Sequence, residues 1–229
     1  MFRELLNVFR TSNPLTAMSQ NFVEMLKLTY EMTVSAGEMF STGTASPEAR
    51  TSLYQYDMRV NQLERRIRKQ VVAHLSLTSN RFDVPYSLLF ISLVKDVERI
   101  GDYAKNLSEI MDIRPGALME DDMTEELQEI RRDIEASFKA LSEVFASSDV
   151  ERALEMIQRR REAAQRCDAL IVRIARSQYD ATDATAIALG TRYYKRIGGH
   201  VLNVLSSIVM PLHKIDYYDE DEVTPARPS

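Results

Sequence analysis

Apolar residues recur three and four positions apart along most of this chain, which is the spacing that lines one face of an α-helix. Phe22, Met25, Leu26, Thr29, Met32, Ala36, Met39 and Phe40 form the first such stripe. Gly43 and Ser46-Pro47 interrupt it. Pro47 suits the first turn of a new helix, where its missing N–H would have no partner anyway. Leu53, Tyr56, Val60, Leu63, Ile67 and Val71 carry the second stripe. Asp83 is placed to cap a third helix that has Pro85 in its first turn. That helix carries Leu89, Leu93, Val97, Ile100, Ala104, Leu107 and Met111, and Arg114-Pro115-Gly116 ends it.

The same plan then returns. Met123, Leu127, Ile130, Ile134, Leu141 and Val144 predict a fourth helix, followed by the break Ser147-Ser148-Asp149. Val150, Ala153, Ile157, Ala164, Cys167, Ile171 and Ile174 predict a fifth, and Tyr179-Asp180 closes it. Ile187, Tyr194, Ile197, Val201, Val204 and Ile208 predict a sixth, ending near Pro211. Six long amphipathic helices with short breaks predict an all-α protein built as helical bundles.

The two halves also share residues. Arg99-Ile100-Gly101 recurs as Arg196-Ile197-Gly198, 97 residues later, and at that offset Asn106 matches Asn203. The chain therefore reads as a duplicated three-helix unit: repeat 1 over 15–113, repeat 2 over 117–215, and an acidic, proline-containing tail over 216–229 with the composition of a disordered segment. A glycine within a helix costs about 1 kcal/mol relative to alanine. Its recurrence at 101 and 198 predicts a close approach of a neighbouring helix at both places.

The third helix also carries a carboxylate cluster, Asp96, Glu98 and Asp102. Glu98 and Asp102 are four apart and share a face, so they repel unless something positive lies between them. A cation or an arginine such as Arg99 would serve. Asp57 and Asn61 on the second helix have the same spacing, and would face that pair if the two helices pack antiparallel.

Composition narrows the function. The 229 residues carry a net charge of −5, which gives no support for nucleic-acid binding. The runs Arg65-Arg66-Ile67-Arg68-Lys69 and Arg159-Arg160-Arg161 read as solvated helix faces. The single cysteine, Cys167, cannot form an internal disulfide and reads as a small buried apolar side chain. No stretch is long and apolar enough to span a bilayer, and the first residues do not resemble a signal peptide. A cytoplasmic protein is expected, attached to a membrane at most from one side. Phe2, Leu5, Leu6 and Phe9 line a short apolar face, with Arg3 and Arg10 beside it, that reads as docked on the bundle or on a second subunit, a membrane-surface helix being the alternative. Carboxylate bundles of the ferritin kind need Glu-x-x-His pairs. The residues three before His74, His200 and His213 are Val71, Ile197 and Met210, so that class is excluded. No P-loop, dinucleotide fingerprint or Ser-His-Asp set is present, and no enzyme is expected.

The segment Asp96-Val97-Glu98-Arg99-Ile100-Gly101-Asp102-Tyr103-Ala104-Lys105-Asn106-Leu107 resembles the third-helix signature of the PhoU family. That resemblance implies two pseudo-symmetric three-helix bundles. It implies a negative regulator of phosphate uptake and phosphate-starvation signalling, acting by contact with a phosphate ABC transporter subunit, with a sensor histidine kinase, or with both. PhoU-like units also accompany sodium–phosphate symporters, and an adaptor or metal-binding protein outside phosphate control is the alternative. The resemblance further implies iron or zinc sites on paired acidic motifs. Here the first would use Glu98, Asp102, Asp57 and Asn61, and it is weak because Asn61 stands where an acid is usual. The second is expected to be absent, since Lys195 and Gly199 stand in place of Glu98 and Asp102. A homodimer is the expected assembly.

Overall fold

The computed structural model describes residues 13–77, 83–147 and 149–210. They form six α-helices and no strand: α1 (Asn13–Thr42), α2 (Pro47–Leu75), α3 (Val84–Ile113), α4 (Asp122–Ser147), α5 (Val150–Ala175) and α6 (Ala181–Val209). The face of Phe2 to Phe9, the tail from Asp216 and His213 lie outside the described residues.

Local chemistry sets most helix starts. The Ser46 hydroxyl accepts from the Ala49 amide ahead of Pro47, Asp149 accepts from the Arg152 amide, and Asp180 accepts from the Asp183 amide. Asp83 does not cap α3 as expected. Its carboxylate instead lies 2.8 Å from Nε2 of His74 at the end of α2, tying that end to the start of α3.

Within each half the three helices pack on one another, α1 with α2 and α3, then α4 with α5 and α6. Across the halves α1 meets α4 and α3 meets α6. Each half thus contributes its first and third helices to a shared centre, and α2 and α5 lie outermost. One apolar cluster runs through all six helices. Phe22 packs edge-on against Phe90 of its own half, at 5.5 Å between ring centroids, and meets Phe145 of the other in a tilted contact at 5.1 Å. The predicted stripes are buried with few exceptions. In α5 the core residue is Leu170, not Ile171, and Val150 is exposed.

The linker between the halves is held at several points. Gly43 and Gly116 both have positive φ, 60° and 94°, and the Gly116 amide donates to the Gly43 carbonyl at 3.2 Å. A Cβ on Gly43 would overlap the Gly116 backbone, so glycine is required there. Arg114 donates to the carbonyls of Gly116 and Ala117 and to Asp183 at the start of α6.

The expected close approaches at Gly101 and Gly198 are not where helices crowd. A Cβ at Gly101 would sit 3.4 Å from Thr29, and one at Gly198 3.6 Å from Ile134, both ordinary contact. The crowded helical glycines are Gly190 on α6, where the Phe40 ring fills the space a Cβ would need, and Gly37 on α1, where Tyr194 Oη and Arg131 Nε stand in that space. Among the described residues no helix is long and apolar enough to cross a membrane.

Candidate functional site

The third helix of each half bears the residues with chemistry, and the two helices pair at the centre of the molecule. Their carboxylate and cationic groups fall into three places.

The first is the junction between α3 and α6. Asp96 turns away from Glu98 and Asp102 and is buried against α6. One of its oxygens lies 2.7 Å from Nδ1 of His200 and accepts from the Asn203 amide at 2.8 Å. Tyr103 stacks on the His200 ring at 5.7 Å. The carboxylate cluster read from the sequence is therefore split, one acid joining the halves and two remaining on the α3 face. His200 is half-buried in this junction.

The second is the α3 face. Glu98 pairs with Lys95 at 2.6 Å and lies 4.0 Å from Arg99. Asp102 is 3.5 Å from Arg99 and 3.9 Å from Lys105. Lys105 donates to Asp57 of α2 at 3.2 Å. Burial pushes the Lys105 pKa down, but the Asp57 hydrogen bond and the charges of Asp57 and Asp102 outweigh it, and the net shift is upward. The helices do bring Asp57 opposite Asp102, and an ammonium stands between them. Asn61 lies one turn along α2, half-buried. Among the described residues no group of three or more His, Cys, Asp or Glu is placed to hold a metal ion. The four predicted ligands do not fit a metal in this arrangement, since lysine and arginine already supply the positive charge.

The third is the α6 face. At the 97-residue offset Lys95, Glu98, Arg99 and Asp102 become Arg192, Lys195, Arg196 and Gly199. These line a cleft of about 420 Å³ between α6 and α5, to which Arg160 and Arg161 also contribute. Arg192 and Arg196 are exposed and form no ion pair among the described residues. Lys195 is held at 2.5 Å by Asp168 of α5.

Arg160 is the residue the sequence reading placed wrongly. It was expected on a solvated face with Arg159 and Arg161, yet it is 4% exposed, and neither Nε nor Nη1 has a hydrogen-bond partner. Burial pushes its pKa down, and attraction to Asp133 only partly offsets this. The signal was present: Ala153, Ile157, Ala164 and Cys167 step by three, four and seven, and the gap between 157 and 164 falls on position 160. Arg159 is exposed as expected, and in the first run Arg65, Arg66, Arg68 and Lys69 are exposed around a buried Ile67. Cys167, beside Arg160 in the core, is buried as expected, and burial pushes its thiol up to about 11.

Residues 22–111, which hold α3 and its acidic face, match the model of the PhoU domain. The likeness of fold extends over both halves. The chain superposes on the phosphate transport system regulatory protein PhoU from Streptococcus pneumoniae with a TM-score of 0.73 and 16% identity, over 95% of this chain and 97% of that one. It superposes on PhoU from Pseudomonas aeruginosa with a TM-score of 0.65 and 18% identity, over 93% and 99%. No curated protein matches the chain by sequence. The second half thus has the PhoU fold, while on α6 the two face acids of α3 are replaced by Lys195 and Gly199 and the two cations are kept.

Proposed function

We propose that this protein is a PhoU-type negative regulator of phosphate uptake and phosphate-starvation signalling, acting by protein–protein contact and not by catalysis. The observation that carries the reading is the PhoU domain over 22–111, with its Glu98-Arg99-Ile100-Gly101-Asp102 segment on α3, inside a fold of PhoU type along the full chain. The pneumococcal protein of the same fold is named for regulation of phosphate transport. Rigid rods with charged outer faces suit docking on the cytosolic parts of a membrane system. The partner in this reading is a phosphate ABC transporter subunit, its sensor histidine kinase, or both, and the protein works in the cytoplasm as a homodimer.

A metal ion on Asp57, Asn61, Glu98 and Asp102 enters this reading only as an exchange. Iron or zinc would have to displace Lys105 from between Asp57 and Asp102, so binding there is weak.

The alternative is a PhoU-fold adaptor outside phosphate control, or a unit that accompanies a sodium–phosphate symporter. The replacement on α6 of both face acids of α3 favours it, because it marks the second half as diverged. A deletion strain grown on ample phosphate separates the readings. The regulator reading expects alkaline-phosphatase output and phosphate uptake both to rise, and the wild-type gene to restore them. If neither changes, the regulator reading fails and the adaptor stands.

A further inference from the structure

The cleft between α5 and α6 gathers like charges that the rest of the molecule does not balance. Arg192, Lys195 and Arg196 lie three and four apart on α6, so their side chains share one face. Like charges at that spacing are destabilising in isolation. Beneath them Arg160 brings a fourth cation from α5, and its Nη1 is 3.9 Å from the point where a Cβ on Gly198 would stand. Three carboxylates approach: Asp168 holds Lys195 at the rim, Asp133 attracts Arg160 from α4, and Asp96 meets α6 through His200 and Asn203. The cations outnumber them.

A buried guanidinium with unsatisfied nitrogens is costly to maintain, and removing such a charge commonly leaves a protein as stable or more so. The cost is recovered when an anion binds. Gly199 places no side chain over the cleft, and a Cβ there would meet nothing within 4 Å, so the space beside the cations is open. A guanidinium fork matches two oxygens of one anion. Donors reaching in from two helices suit more than two oxygens, which a tetrahedral oxyanion presents and a carboxylate does not. The cleft is concave and its key arginine is buried, so it fits a free ion and not a flat bilayer surface.

We propose that the α5–α6 cleft is a phosphate-binding site, in which Arg160 is the buried anchor and Arg192, Lys195 and Arg196 close over the ion from α6. The proposal rests on the cleft alone and does not require the regulatory role. Lys195 would exchange Asp168 for the ligand or bridge the two.

The test uses the full chain, with thermal unfolding followed at rising inorganic phosphate against potassium chloride of matched ionic strength. Phosphate is expected to raise the melting temperature in a concentration-dependent way, as a ligand of the folded state does. Arg160→Met and Arg196→Gln should each weaken the apparent affinity about tenfold or more. Arg160→Met without phosphate should melt no lower than wild type. A purely structural arginine predicts the opposite, a lower melting temperature with the phosphate response intact. Should Arg160→Met fail to fold, the exposed Arg196→Gln with Arg192→Gln still decides the matter. No phosphate response in wild type, or one that survives these substitutions, overturns the site. So does binding to phosphatidylglycerol vesicles that depends on Arg160 and Arg196 without any response to free phosphate, which would assign the cleft to a lipid headgroup.

Discussion

The exposed faces of α3 and α6 hold equivalent places in the two halves, yet one is neutralised and the other is not. On the α3 face Glu98 has Lys95 within reach, Asp102 has Arg99 and Lys105, and Asp57 of the neighbouring α2 shares Lys105. On α6 the acids are replaced, and of Arg192, Lys195 and Arg196 only Lys195 has a carboxylate beside it among the described residues. Below that face Arg160 is buried with two unpartnered nitrogens. The lesson is that a duplicated backbone constrains the interior more tightly than the surface. Ile100 and Ile197 are both buried on the shared core side, and Gly101 and Gly198 both remain, while on the outer face Glu98 gives way to Lys195 and Asp102 to Gly199.

The two halves also differ inside, and there the effect of substitution is largest. Position 93 of α3 is a buried leucine, and its equivalent on α6 is Gly190, whose missing side chain is replaced by the Phe40 ring. Gly190→Ala should lower stability by about 2 to 3 kcal/mol by urea unfolding, as overpacking does. A neutral result would mean that the Phe40 ring moves freely. Next comes the junction. Asp96→Ala strips partners from His200 and Asn203, at about 2 kcal/mol, and should weaken the packing of α3 on α6. Hydrogen exchange in α6 should speed up with it, and unchanged exchange would show that the two helices are held by apolar contacts alone.

A smaller effect is expected on the α3 face. Lys105→Met leaves Asp57 and Asp102 facing each other without their ammonium, a loss of about 1 kcal/mol for a partly exposed group. Added zinc should recover part of it, because the cation then replaces the lysine. No recovery would remove the metal reading of Glu98, Asp102, Asp57 and Asn61. The smallest effect is a gain. Gly101→Ala and Gly198→Ala place a methyl at ordinary contact distance and should each stabilise by about 0.5 to 1 kcal/mol in thermal unfolding. A loss at only one of them would mark the half in which helices are closer than the distances above.

The fold was readable because helical spacing is a property of the chain itself. The stripes from Phe22 to Phe40 and from Leu89 to Leu107 are buried where the period put them. The loss of both acids, to Lys195 and Gly199, was readable from the repeat offset. What escaped depended on partners distant in sequence. Nothing near Asp96 announces that it binds His200, 104 residues on, and nothing near Asp57 announces Lys105 between the acids. Gly190 was passed over because its neighbour Phe40 lies in the other half. Arg160 was misplaced for a different reason: its position in the α5 period was core, and its charge was allowed to overrule the period.

The most direct test of the account asks whether the two faces do different work in the cell. A deletion strain on ample phosphate would carry the wild-type gene, an α3-face variant (Asp57→Asn, Glu98→Gln, Asp102→Asn) or an α6-face variant (Arg192→Gln, Lys195→Gln, Arg196→Gln), with alkaline-phosphatase output as the readout. The account predicts that wild type and the α3-face variant restore repression and that the α6-face variant does not. Repression restored by the α6-face variant, or lost only in the α3-face variant, would contradict it.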